Sequence, residues 1–286
     1  MSLAINPVTT IRGDVGEGPL WNSKTKCVTW VDITGLLWHI TEFDTGKTKT
    51  LQVPNMVGAL IERESGGYLG AVKEGFAEIN PLGGYDVFNE FLPITERMND
   101  AKADALGRWW TGSNAIDFTK GAGKLHVIDN DRQIKTVLTG LTLPNGLAWN
   151  KKNDEFYLVD TFESIIWAFD FDLENSELTN KRELVKFEDN GSFPDGMTIS
   201  DQGFLIVAMW EGSKLEIFDT NGAKQGEFTM PVKKPTSCTF GGENSDILIV
   251  TSACRELNFE AHDLDGMLLA VTGTGLTGEE SRKFNG

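Results

Sequence analysis

The chain has 286 residues, of which 42 are acidic and 26 are basic, so its formal net charge at pH 7 is −16. A surface this negative repels phosphate backbones and anionic lipid, and nucleic acid and membranes are therefore not expected partners. No apolar run approaches the ~18 residues of a membrane span, no secretory leader is visible, and three cysteines inside apolar runs indicate free thiols, so we expect a cytoplasmic protein.

Six hairpins of one kind follow each other along the chain. Each has a short strand, a turn of Gly, Asn, Asp or Ser, and a second strand of β-branched or aromatic residues. In chain order the second strands are expected at 27–32, 68–72, 108–112, 155–160, 204–208 and 247–251. Successive hairpins begin about 40 to 50 residues apart, which is the repeat length of propeller blades. The pattern predicts an all-β, six-bladed β-propeller.

The ends of the chain predict how the ring closes. The stretch from Ala4 to Arg12 precedes the first hairpin and is expected to be the outer strand of the last blade. No linker rich in Pro, Gly or Ser divides the sequence, so residues 1–286 are predicted to form a single domain.

Oxygen-bearing side chains precede three of these hairpins at the same position. Glu17, Asn145 and Asp195 are each followed by Gly and an apolar segment, and Asp100 is expected at the equivalent entry position of the third hairpin. In a propeller the residue that enters the innermost strand lies at one mouth of the central channel, so these side chains are expected to converge there. Each one alone is best explained as a turn former, but the shared position, and Glu17 as a poor turn former, favour a metal site.

The ligand chemistry indicates one divalent cation. Carboxylate and amide oxygens without His or Cys suit Ca²⁺ first, with Mn²⁺, Mg²⁺ and Zn²⁺ as alternatives. A cation with open positions would polarise a carbonyl and activate water. Other catalytic patterns are missing, since the sequence has no G-x-S-x-G and no H-E-x-x-H motif.

Five motifs in order give the chain a wider resemblance. It resembles the SMP-30/gluconolactonase/regucalcin-like family of six-bladed propellers in the segments 16–21, 97–104, 144–149, 193–197 and 236–242. The resemblance implies a divalent metal held by Glu17, Asn145 and Asp195, with Arg97 and Asn99 contacting the substrate. It also implies hydrolysis of sugar lactones, with Asp195 as a metal ligand and general base.

Departures from the family pattern concern the substrate. The segment from Ser113 to Gly123 lacks the Glu that some members present to substrate, and Asp117 is its one acid. The expected partner is a small-molecule lactone, and the oligomeric state is left open. Two alternatives stand beside the lactonase: a non-enzymatic calcium-binding or regulatory protein of the regucalcin type, and a propeller that binds other proteins and uses the metal only structurally.

Overall fold

The computed structural model describes residues 3–258, 260 and 263–286, which are built from β-strands and turns. The strands form six antiparallel sheets of four strands each, and consecutive strands lie next to each other in five of them. The predicted all-β, six-bladed β-propeller is confirmed. Within the described residues, no helical segment has the length and apolarity needed to cross a bilayer.

By its internal contacts the chain divides into two compact units, and the first consists of Met1–Gln52 and Asp189–Ser281. It contains three sheets. The first is β2 (Gly16–Asn22), β3 (Cys27–Asp32), β4 (Leu37–Glu42) and β5 (Thr48–Gln52); the second is β18 (Phe193–Ile199), β19 (Leu205–Trp210), β20 (Lys214–Phe218) and β21 (Lys224–Thr229); the third is β22 (Lys234–Gly241), β23 (Ile247–Ala253), β24 (Met267–Thr272) and β1 (Ala4–Arg12). Strand β1 pairs antiparallel with β24, so the N-terminal strand is the outer strand of the sheet formed by the C-terminal strands.

The second unit consists of Val53–Glu188 and Arg282–Gly286. Its three sheets are β6 (Val57–Glu62), β7 (Tyr68–Val72), β8 (Gly75–Ile79) and β9 (Tyr85–Glu90); β10 (Glu96–Ala103), β11 (Trp109–Ala115), β12 (Gly123–Ile128) and β13 (Ile134–Leu141); and β14 (Pro144–Trp149), β15 (Glu155–Asp160), β16 (Ile165–Asp172) and β17 (Glu177–Lys186). The C-terminal segment is tied to this unit, because Phe284 is fully buried and pairs with Arg63. That the whole chain is one domain stays a prediction.

Aromatic residues fill the space between neighbouring sheets of the second unit. Trp110 of β11 lies 6.0 Å from Trp149 and 5.6 Å from Phe156, measured between ring centroids. Trp149 in turn lies 5.0 Å from Phe156. Each large side chain removed from water contributes about 1.5–3 kcal/mol, so this cluster holds the β10–β13 and β14–β17 sheets together. Trp109, the residue before Trp110, is also buried, and it packs against Phe76 at 5.7 Å between ring centroids.

Candidate metal and substrate site

The predicted ligands Asn145 and Asp195 both lie in β-bulges at the start of the first strand of a sheet. The pairing of β14 with β15 is interrupted over Asn145 and Gly146, and the pairing of β18 with β19 over Asp195 and Gly196. A bulge leaves a residue outside the ladder and redirects its side chain. Asn145 is 4% exposed and Asp195 is 6% exposed, so each bulge buries an oxygen-bearing side chain.

The pairing of β10 corrects the expected position of Asp100. Here the interruption covers Asn99 and Asp100, and Asn99, as the first of the two residues, takes the place that Asn145 has in β14. Asp100 is the second. Burial raises the pKa of the Asp100 carboxyl to about 6, against the lowering effect of Lys102. The predicted position of Asp100 is therefore one residue away from the position of Asn145, because the sequence does not show which residues of β10 are left unpaired.

Glu17 reaches its position differently. It remains opposite Val31, and the irregularity in β2 falls on the following Gly18 and Pro19. Gly18 has a φ of 55°, and its N–H donates to Glu17 Oε2 at 3.0 Å. The side chain is 6% exposed. A buried carboxylate requires hydrogen bonds or opposite charge, and Gly18 supplies one of those bonds from a backbone conformation that favours glycine.

Strand β22 joins the strands that carry the two acids. Thr236 Oγ1 donates to the carbonyl of Gly16 at 2.5 Å. On the other side, a Cβ atom added at Gly196 would overlap the side chain and backbone of Ser237. Glu17 and Asp195 are therefore carried by strands that pack on opposite sides of one strand.

In the second unit, four side chains form a continuous hydrogen-bonded group, which we call the Asn145 cluster: Arg97, Asn99, Asn145 and Thr161. Asn99 Nδ2 donates to Asn145 Oδ1 at 3.1 Å and to the Pro144 carbonyl at 3.0 Å. Asn145 Nδ2 donates to Thr161 Oγ1 at 3.0 Å. The amide of Asn145 is thus oriented from both ends.

Arg97 completes the cluster. Its half-buried guanidinium donates through Nη1 to Asn99 Oδ1 at 2.7 Å and to the Met98 carbonyl at 2.9 Å. Asn99 therefore uses both its amide oxygen and its amide nitrogen within the protein, and its geometry is that of a group that positions Asn145. Contact of Arg97 and Asn99 with substrate stays a prediction. Thr161 was not predicted, because nothing in its sequence setting distinguishes it from a turn residue.

In the loop between β11 and β12, the carboxylate of Asp117 is hydrogen-bonded within its own turn. Asp117 Oδ1 accepts hydrogen bonds from the Thr119 N–H at 3.0 Å and from the Thr119 hydroxyl at 2.7 Å, and these bonds lower the pKa of Asp117. The carboxylate thus stabilises its own turn.

The structure brings Arg97, Asn99 and Asn145 together in one unit and places Glu17 and Asp195 beside β22 in the other. Convergence of Glu17, Asn145 and Asp195 around one ion stays a prediction. Within the described residues, no three His, Cys, Asp or Glu side chains come together as a possible metal site. The predicted set has a different composition, since it contains two such side chains and an amide.

Comparison with known proteins shows which family the chain belongs to. Residues 15–254 match the family described as SMP-30/Gluconolactonase/LRE-like region. Regucalcin of Danio rerio is 30% identical over 295 residues, covering 100% of this chain and 99% of the relative. Pentonolactonase XacC of Haloferax volcanii is 30% identical over 239 residues, covering 84% and 81% of the two chains. A solved structure of luciferin-regenerating enzyme superposes with a TM-score of 0.93 at 26% identity, covering 99% and 100%. The chain belongs to the SMP-30/gluconolactonase/LRE-like family.

Proposed function

We propose that this protein is a divalent-metal-dependent hydrolase of sugar lactones. The observation that carries the proposal is the Asn145 cluster, in which an inward-facing amide is oriented by two neighbours. The same bulge in β18 places a buried carboxylate, Asp195, and β2 supplies Glu17. The pentonolactonase relative supports the reaction class.

The donor set fits a hard cation. Glu17, Asn145 and Asp195 offer two carboxylates and one amide oxygen, all nearly buried, and no described His or Cys accompanies them as a metal cluster. Such donors suit Ca²⁺, with Mn²⁺, Mg²⁺ and Zn²⁺ as the other candidates. When bound, the cation would supply polarisation of the lactone carbonyl and a lowered pKa for an attacking water.

The residues of the chain have distinct roles in this proposal. Asp195 accepts a proton from the water that adds to the carbonyl carbon. The ring C–O bond then breaks, Asp195 returns that proton to the ring oxygen, and a hydroxy acid results. Arg97 donates hydrogen bonds to substrate oxygen. Asn99 holds the Asn145 amide in the orientation that ligation requires, as residues behind metal ligands commonly do.

The experiment is metal reconstitution. Metal-stripped protein is incubated with a panel of aldonolactones while Ca²⁺, Mn²⁺, Mg²⁺ or Zn²⁺ is added back, and acid release is followed. Restored hydrolysis by at least one ion supports the proposal. The Asp195→Asn variant should lose turnover, whereas Asp44→Asn, which changes an exposed acid near Lys26, should behave like the parent protein. Near-normal turnover by Asp195→Asn would remove the base assignment.

A second function is favoured by one comparison. The Danio rerio relative is named regucalcin, and a calcium-binding or regulatory protein could use the same side chains without catalysis. If no ion restores hydrolysis across the panel but Ca²⁺ still binds, as measured by calorimetry, this alternative replaces the lactonase.

A further inference from the structure

Two loops of the second unit expose aromatic rings that touch each other. Phe118, between β11 and β12, is 42% exposed, and Phe162, between β15 and β16, is 44% exposed. Their ring centroids lie 5.1 Å apart at an interplanar angle of 69°. Single exposed apolar residues are ordinary, but two rings from separate sheets in edge-to-face contact form an organised apolar surface. We call them the aromatic pair.

The strand register places the aromatic pair at the end of the sheets where the Asn145 cluster lies. Strand β11 ends just before the Phe118 loop, and its Asn114 pairs with Arg97. Phe162 directly follows Thr161, whose hydroxyl accepts the hydrogen bond from Asn145. The aromatic pair therefore begins one residue from a direct partner of the predicted metal ligand.

Hydrogen bonds fix the two loops to each other. Lys120 Nζ donates to Glu163 Oε2 at 2.9 Å, and Thr142 Oγ1 donates to Glu163 Oε1 at 2.8 Å. The Gly121 N–H donates to the same Thr142 hydroxyl at 3.2 Å. Glu163 follows Phe162, so this network holds both rings in place.

The Phe118 loop exposes apolar side chains, although the loop also contains an acid. Asp117 is committed to the Thr119 turn, while Ile116 is 40% exposed beside Phe118. Hydroxyl-rich ligands are bound by hydrogen-bonding groups, and apolar ones by rigid rings and aliphatic chains. The chemistry of this loop fits an apolar ligand group.

We infer that the aromatic pair contacts the substrate and that, within the proposed class of sugar lactones, it favours those that carry an aryl or alkyl substituent over fully hydroxylated aldonolactones. The inference rests on the proposed lactonase function and names its substrate class. An apolar substituent that covers the two rings loses water on both sides, and an aryl substituent adds edge-to-face contact. An aldonolactone gains little from the same surface because its hydroxyls stay hydrated.

The test compares two lactones in the metal-loaded enzyme. The kcat/KM values for γ-phenyl-γ-butyrolactone and glucono-δ-lactone are measured for the parent protein, Phe118→Ala, Phe162→Ala and the double variant. The ratio of the phenyl value to the glucono value should fall about tenfold in each single variant and further in the double variant. Leu82→Ala is the matched control, since Leu82 is 96% exposed in the turn between β8 and β9, and its ratio should not change.

A second measurement separates this inference from the proposed function. The lactam 5-phenyl-2-pyrrolidinone is not hydrolysed, and its contact with the protein is read from saturation-transfer NMR of its phenyl protons. Loss of that signal in the double variant supports contact of the aromatic pair with the ligand. If no lactone is turned over, that result counts against the proposed lactonase function and not against this contact.

Three results would overturn the inference. They are an unchanged ratio, an equal loss for both lactones with an unchanged lactam signal, and a dimer in sedimentation that the double variant abolishes, which would mean that a second copy covers the rings. Thermal unfolding checks that the variants fold, and Phe162→Leu, which keeps an apolar side chain, should retain part of the preference.

Discussion

Replacing Asn99 tests whether the Asn145 cluster is built as described. Asn99→Ala removes its two donated hydrogen bonds, to Asn145 Oδ1 and the Pro144 carbonyl, and the acceptor of the bond from Arg97. Two neutral bonds contribute about 1 kcal/mol each, and a bond to a charged group about 1.5–3 kcal/mol. Arg97 is only half-buried, so the lower end applies to it. The free energy of unfolding should fall by about 3.5 kcal/mol.

Urea denaturation measures that loss, and titration calorimetry of Ca²⁺ measures its consequence for the site. With Asn145 no longer oriented, the cation Kd should rise about 10–100-fold. Asn130→Ala is the control, because Asn130 is exposed and makes one bond, to the Leu106 carbonyl at 3.1 Å. A change below about 1 kcal/mol together with an unaltered Kd for Asn99→Ala would refute the positioning role.

Three further predictions concern stability. Burial lowers the pKa of His126 to about 4, so the unfolded chain, in which the pKa is near 6.5, binds the proton more readily. The free energy of unfolding should be at its full value above pH 6.5 and fall by about 3 kcal/mol toward pH 4. Urea denaturation curves across that range should show a weaker pH dependence in His126→Gln. Asp104 is fully buried and paired with Arg108 at 2.7 Å, so Asp104→Ala should cost about 3–5 kcal/mol in the same assay, because it leaves the Arg108 guanidinium without its partner. If the double variant Asp104→Leu with Arg108→Met is no more stable than Asp104→Ala, the unpaired guanidinium is not the cause. Gly196→Ala should destabilise by about 1–3 kcal/mol through overlap with Ser237, and Ser237→Gly should recover part of that loss if the overlap is responsible.

The hairpins could be predicted from the sequence because turn residues and β-branched strands are local signals. The second strands begin within one residue of the prediction, and β11, β19 and β23 run two or three residues beyond its ends. Within the described residues, Cys27, Cys238 and Cys254 form no disulfide. The fold class followed from counting these units, since six hairpins of one length leave few other arrangements.

The details of the site could not be predicted in the same way. Whether Asn99 or Asp100 is the first residue of the bulge depends on which residues of β11 pair with β10, and this pairing is not visible in the local sequence. The contact of Asn145 with Thr161 spans 16 residues and depends on the turn after β15. Likewise Phe118 and Phe162 lie in the loops of two different sheets, and their contact follows only from packing.

Two buried aspartates, Asp160 and Asp32, order the turns that lead into β14 and β2. Asp160, 1% exposed, accepts backbone N–H bonds from Thr142 at 3.1 Å and from Leu143 at 2.9 Å. The turn before Pro144 is therefore anchored by a carboxylate at the end of the neighbouring strand. Asp32 anchors the segment before β2 in the same manner, through the N–H groups of Asp14 and Val15.

The conformational entropy of these turns is therefore lost when the chain folds, and not when a ligand binds. A cation held as proposed by Glu17 or by Asn145 would meet backbone that no longer needs to be organised, and the free energy of association would be reduced by that much less. In the proposed site, Asp32 and Asp160 would then raise the affinity for a ligand that they do not contact.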